Sequence, residues 1–141
     1  MAGLSARLAG IVAALPLAPG LRVLEIGCGP GAMAREMARR VGPTGAVLGI
    51  DRSPGAIAQA RAGESPAHLT FRVAKVEELA LAPGEARYDL AVAIRVGALD
   101  GRHPQLEAAA LSRIAAALVP GGRLYVDGGA PLRAIAPKGG S

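Results

Sequence analysis

Two hydrophobic rhythms alternate along the chain. Short apolar runs at Leu21–Ile26, Ala46–Asp51, Leu69–Val73, Tyr88–Val96 and Arg123–Asp127 predict strands. The run Leu90–Ile94 is nearly continuous, as in a strand covered on both faces. Between the runs the apolar positions fall at helical spacing. Leu4, Leu8, Ile11, Val12 and Leu15 mark an opening helix over about residues 3–15, stopped by Pro16 and Pro19. A second helix runs from Ala32 to about Val41 and stops at Gly42-Pro43. A third covers 54–62 with Ser53 as its cap, and a fourth covers 104–118 with Leu106, Leu111, Ile114 and Leu118 inward. Residues 75–81 are too short for more than a helical turn. Residues 128–141 are rich in Gly and Pro and lack periodicity, which predicts a tail.

Strand–helix alternation implies parallel strands joined by right-handed crossovers, with helices on both faces. The expected fold is α/β and doubly wound, a mostly parallel sheet of about five strands formed by residues 1–127 and followed by the 128–141 tail. Ligands of such sheets bind beyond the carboxyl ends of the strands, where strand order reverses. The segments at 27–31, 51–53, 74–78 and 95–103 all fall at that edge.

Composition narrows the picture. The chain has 141 residues, enough for one domain with a real core, and is 51% hydrophobic with 2% aromatic residues. So few rings argue against a stacking platform for single-stranded nucleic acid. The net charge of +5 comes from scattered arginines, not a stripe along one helix, so nucleic acid is not the expected partner. A single cysteine, Cys28, excludes an internal disulfide and a multi-cysteine metal site. No run approaches the ~20 apolar residues of a membrane span. Residues 8–15 are read as an amphipathic helix, not as a signal-peptide core, which places the chain in the cytoplasm.

The chemistry concentrates in Val23-Leu24-Glu25-Ile26-Gly27-Cys28-Gly29-Pro30-Gly31 and in Gly49-Ile50-Asp51-Arg52-Ser53. An apolar strand opens into three alternate glycines and then a helix. Such a bend brings backbone amides close to a ligand and favours an anionic group at the helix start. An acid at the tip of the next strand can accept from two ribose hydroxyls. Together they predict a nucleoside-cofactor site. Because Gly27-x-Gly29-x-x-Ala32 also satisfies a looser dinucleotide pattern, an NAD(P)-binding oxidoreductase stays open as an alternative. Against it, Glu25 at the strand tip would repel a pyrophosphate.

Four motifs in order resemble the class I S-adenosylmethionine-dependent methyltransferases, which have a Rossmann-like fold. Glu25-Ile26-Gly27-Cys28-Gly29-Pro30-Gly31 is similar to that family's first motif, and Gly49-Ile50-Asp51-Arg52-Ser53 to its acidic second strand. Tyr88-Asp89-Leu90 resembles the opening of its fourth strand, and Leu118-Val119-Pro120-Gly121-Gly122-Arg123-Leu124 the turn into its fifth. The resemblance implies S-adenosylmethionine as cofactor and methyl transfer to a small-molecule acceptor. It implies that Glu25, Gly27, Gly29 and Gly31 hold the methionine part, Asp51 the ribose and Val76 the adenine, with Cys28, Arg52, Lys75 and Arg95 as further cofactor-binding residues. His103 and Asp100, after the fourth strand, are the candidates for a catalytic base. A binding module without catalysis of its own is the second reading.

Two departures from the family pattern matter. Lys75 stands where the family places an acid for the adenine amino group, and a lysine cannot accept a hydrogen bond. Glu77 and Glu78 are the nearby substitutes. The family's sheet also continues beyond the fifth strand, whereas here a tail is expected. Arg123–Asp127 would then be a bare sheet edge, which predicts self-association or a partner chain along it.

Overall fold

The computed structural model describes residues 4–137. Residue 3 of the expected opening helix and residues 138–141 of the expected tail lie outside them. The chain folds as α1 (Ala6–Ala14), β1 (Arg22–Ile26), α2 (Ala32–Val41), β2 (Ala46–Asp51), α3 (Pro54–Ala62), β3 (Leu69–Val73), β4 (Tyr88–Ala93), α4 (Glu107–Ala117), β5 (Leu118–Asp127) and β6 (Leu132–Ile135). Short 3-10 turns at Val76–Glu78 and Pro104–Leu106 precede β4 and α4. Local chemistry explains the helix starts. The Ser5 hydroxyl accepts from the Leu8 amide at 3.2 Å, and the Ser53 hydroxyl from the Ala56 amide at 3.1 Å.

One six-stranded sheet has the order β3-β2-β1-β4-β5-β6. The first five strands are parallel, and β6 runs antiparallel to β5. The strand order reverses between β1 and β4, so the carboxyl end of β1 is the switch point. Alternation along the strands sends two sets of side chains to opposite faces. Val23, Val47, Phe71, Leu90 and Val92 pack with Ile11, Val12, Met33, Met37 and Ile57 from α1, α2 and α3. Leu24, Ile26, Leu48, Ile50, Leu124 and Val126 pack with Ala110, Ile114 and Ala117 of α4. Helices on both faces of a mostly parallel sheet are the expected doubly wound architecture.

Two expectations need correction. The sheet has six strands, not about five, because the stretch read as a tail contains β6. Periodicity could not show it, since a four-residue strand next to Gly and Pro offers too few positions. The fifth strand is therefore not an edge. Leu124, Tyr125, Val126 and Asp127 pair with Ile135, Ala134, Arg133 and Leu132, so the partner expected along β5 is the chain's own β6. β5 also begins earlier than expected. Tyr88 pairs with Leu118 and Leu90 with Arg123, so Val119-Pro120-Gly121-Gly122 is absorbed as a bulge. At Gly122 a Cβ would lie 3.1 Å from the Asp89 carbonyl oxygen, which explains a small residue at that crossing. Asp89 itself accepts from the Arg22 amide at 2.8 Å, at the end of the sheet away from the switch point, as expected of a structural acid.

Candidate cofactor site

The bend after β1 is fastened from beneath. The amides of Gly27 and Cys28 both donate to the Ile50 carbonyl of β2, at 2.8 and 2.9 Å. Gly27 takes φ 71° and Gly31 takes φ 94°, in the left-handed region that favours glycine. At Gly31 a Cβ would also lie 2.7 Å from the Phe71 ring, so both conformation and space exclude a side chain. Arg35 secures the bend from the helix side. Its guanidinium donates to the carbonyls of Pro30 (2.9 Å) and Ala60 (2.6 Å), and its Nε to that of Glu64 (2.9 Å). It also lies over the Phe71 ring at 5.5 Å.

Asp51 links β2 to the bend. One carboxylate oxygen accepts from the Gly29 amide and the other from the Ser53 amide, each at 2.9 Å. Each oxygen keeps a further lone pair for a ligand hydroxyl. The carboxylate is thus held by two backbone donors before any ligand arrives.

Glu25 is different. It is 5% exposed, and its Oε1 has no hydrogen-bond partner among the described residues. Its register neighbours explain the isolation. They are Gly49 of β2, which has no side chain, and Val92 of β4, which has no polar atom. Burial, and then the charge of Asp51, push the Glu25 carboxyl up to about 8. An orphaned carboxyl beneath a glycine bend is a waiting partner for a cation.

Cys28 turns inward. Its thiol is buried, and a Cβ at Gly49 would lie 3.0 Å from its Sγ. Burial first, then the charges of Glu25 and Asp51, push the thiol up to about 12, so it stays protonated and packs.

Above the bend, a cavity of about 300 Å³ opens at the carboxyl ends of β1, β2, β3 and β4. Gly27, Asp51, Arg52, Lys75, Val76 and Arg95, six of the expected cofactor-binding residues, line it. Glu25, Cys28, Gly29 and Gly31 lie in or under the bend and do not line it. Of the two acids near Lys75, Glu77 faces the cavity, whereas Glu78 lies 4.0 Å from the Lys75 amine.

The two proposed bases part company. His103 lines the cavity; its amide donates to the Gly97 carbonyl at 3.0 Å, and a Cβ at Gly97 would strike its ring. Asp100 is not brought to the wall. Its carboxylate is 2.8 Å from the Arg102 guanidinium, within a turn closed by the Arg102 amide. Burial pushes Asp100 upward, but the Arg102 amide and guanidinium outweigh that and hold it below the ordinary carboxylate value. The sequence reading missed Arg102, Val96, Gly97 and Ala98 on the wall. Their position just after β4 is the signal that could have found them.

A glycine bend, an amide-held acid on the next strand and a buried acid without a partner match the donor needs of a sulfonium nucleoside bearing an amino-acid end. Residues 23–122 match the family described as "Methyltransferase domain". The chain belongs to the S-adenosylmethionine-dependent methyltransferases. Among relatives of this methyltransferase domain, trans-aconitate 2-methyltransferase of Methylobacterium nodulans is 38% identical over 119 residues, 84% of this chain and 42% of the relative. The tRNA (adenine(58)-N(1))-methyltransferase of Thermus thermophilus is 41% identical over 83 residues, 56% of this chain and 32% of the relative. The solved structure of an S-adenosylmethionine-dependent methyltransferase from Mesorhizobium loti aligns with TM-score 0.69 and 28% identity, over 86% of this chain and 53% of that one. The chain thus spans less than half the length of the curated relatives it matches. With a tRNA enzyme among them, the expectation that nucleic acid is no partner receives no support. Among the described residues, no helix is long and apolar enough to cross a membrane.

Proposed function

We propose that this domain binds S-adenosylmethionine and transfers its methyl group to a small-molecule acceptor. The buried, partnerless Glu25 carboxyl beneath the glycine bend carries the reading, because the ammonium of a methionine moiety supplies the cation it lacks, whereas a pyrophosphate supplies none. Asp51 receives the ribose hydroxyls on the lone pairs its two backbone donors leave free. The Val76 segment would hold the adenine, with Glu77 on the same cavity wall as the acceptor that Lys75 cannot be.

When bound, S-adenosylmethionine supplies a methyl group already activated by its sulfonium, and this sets what the protein must do. The chain has to fix a nucleophile in line and keep it there, which is a task of positioning. Where the acceptor carries a proton, His103, which lines the β4 side of the cavity, would receive it at a ring nitrogen. Asp100, tied to Arg102, takes no part.

Calorimetric titration with S-adenosylhomocysteine and with NAD tests the reading. Binding of the first and not the second is expected, and the reverse overturns it. Release of S-adenosylhomocysteine in the presence of an acceptor collection then separates an enzyme from a binding module.

A further inference from the structure

The cavity carries more positive charge than the cofactor can use. Arg52, Lys75, Arg95 and Arg102 line it, against the carboxylates of Asp51 and Glu77. Two of these cations are engaged: Arg102 with Asp100 at 2.8 Å, and Lys75 with Glu78 at 4.0 Å. Asp51 is committed to the Gly29 and Ser53 amides. Among the described residues, the side chains of Arg52 and Arg95 have neither a hydrogen bond nor an ion pair.

Arg95 is singular among them in its backbone. It takes φ 57°, the left-handed conformation that favours glycine, and among the described residues no other non-glycine does so. Its neighbours hold it there. Its amide donates to the Asp127 carboxylate at 3.3 Å, and its carbonyl accepts from the Arg102 guanidinium at 2.6 Å. A strained residue pinned on both sides at the mouth of a cavity points to a task for its side chain. Topology says which task. Arg95 follows β4, on the far side of β1 from β2 and β3, which carry Asp51 and Val76. It therefore belongs to the wall facing the nucleoside, where an acceptor must enter.

We infer that Arg95 recognises an anionic acceptor, a small molecule whose carboxylate or phosphate oxygens accept hydrogen bonds from the Arg95 guanidinium. The inference rests on the methyltransferase reading above. A planar fork of donors suits either oxyanion. Four cations against two carboxylates leave the lining with a cationic excess, which an anionic acceptor would offset and a neutral one would not.

The test uses protein saturated with S-adenosylhomocysteine and two pairs of probes: citrate against its neutral triethyl ester, and glycerol 3-phosphate against glycerol. At least one anion should bind about fivefold or more tightly than its neutral counterpart, a factor set low because Arg95 is exposed. The pair that shows the preference identifies the oxyanion. In Arg95→Gly the preference should vanish, and S-adenosylhomocysteine affinity should stay within about threefold of the parent. Glycine accepts φ 57° without strain, so this variant removes the guanidinium and keeps the loop. Equal binding of both anions and their neutral counterparts overturns the inference and leaves the methyltransferase reading standing. A preference that survives in Arg95→Gly does the same. Failure of the parent protein to bind S-adenosylhomocysteine overturns the methyltransferase reading, and this inference with it.

Discussion

The two walls of the cavity are built by different means. On the β1–β2–β3 side, backbone hydrogen bonds carry the structure. The Gly27 and Cys28 amides hold the Ile50 carbonyl, the Gly29 and Ser53 amides hold Asp51, and Phe71 fills the space left by Gly31. On the β4 side, side chains close the loop: Arg102 on Asp100 and on the Arg95 carbonyl, and the Asp127 carboxylate on the Arg95 amide. Of those side chains Arg102 is largely exposed and Asp100 and Asp127 about a quarter exposed (59%, 25% and 27%), whereas Glu25, Cys28 and Gly31 are buried. A wall made from buried backbone cannot be altered without disturbing the core. One made from exposed side chains can be exchanged residue by residue. The contrast suits a domain whose cofactor is shared across a family while acceptors differ.

Glu25 is the exception on the rigid side and offers the largest expected effect. Its carboxyl is raised to about 8 in the folded protein against an ordinary 4.5, so folding favours the protonated form. That contribution to stability is complete below the ordinary value and is lost as pH rises through about 8. Glu25→Gln, which cannot ionise, should therefore unfold at higher urea than the parent at pH 9, by ~3–5 kcal/mol, with the gap closing toward pH 5. Cofactor binding should show the opposite preference. An ammonium beside Glu25 favours the carboxylate, so S-adenosylhomocysteine affinity of the parent should rise between pH 6 and 8, with proton release on binding. Titration in buffers of different ionisation enthalpy reads that proton, and an unchanged signal between buffers would remove Glu25 from the site.

Asp51 comes next. Asp51→Ala removes an acceptor for two ligand hydroxyls and also frees the Gly29 and Ser53 amides. S-adenosylhomocysteine affinity should fall by about a hundredfold, while the fold survives because the pair lies at the cavity rim. Unchanged affinity in a folded protein would contradict the site. Gly31→Ala should act on the fold instead. The added Cβ meets the Phe71 ring at 2.7 Å, and φ is 94°. A loss of ~2–3 kcal/mol in urea unfolding is expected. Gly29→Ala, where no atom lies within 4 Å of the added carbon, should cost less despite φ 54°.

How legible each wall was in the sequence follows the same division. The strand runs, the glycine bend and Asp51 could be read because period and spacing express backbone geometry directly, and each expected strand and helix through α4 is present in order, with ends displaced by up to three residues. The isolation of Glu25 could not be read, since it depends on Gly49 and Val92 arriving beside it in register. β6 stayed hidden because a strand of four residues has no detectable period, and β5 offers its pairing groups only after folding. The positive φ of Arg95 was equally invisible. Nothing in Ile94-Arg95-Val96 signals it, and it is imposed by Asp127 and Arg102, thirty-two and seven residues away.

The smallest expected effect sharpens the contrast most finely. Arg102 is 59% exposed in its side chain, and its bonds to Asp100 and to the Arg95 carbonyl are exposed as well. Arg102→Ala should therefore leave urea unfolding and S-adenosylhomocysteine affinity unchanged within error, since solvent screening keeps such pairs weak. The loop is another matter. With the donor to the Arg95 carbonyl gone, the segment keeps the His103 amide on the Gly97 carbonyl, the Leu99 amide on the Val96 carbonyl, the backbone amide of residue 102 on Asp100 and the Arg95 amide on Asp127. Hydrogen exchange at the amides of Arg95 and His103 should accelerate severalfold, while Gly27 and Cys28, bonded to Ile50, keep their protection. Equal acceleration on both sides would mean that the two walls open as one unit, and the division between a backbone-built β1–β2–β3 wall and a side-chain-built β4 wall would not hold.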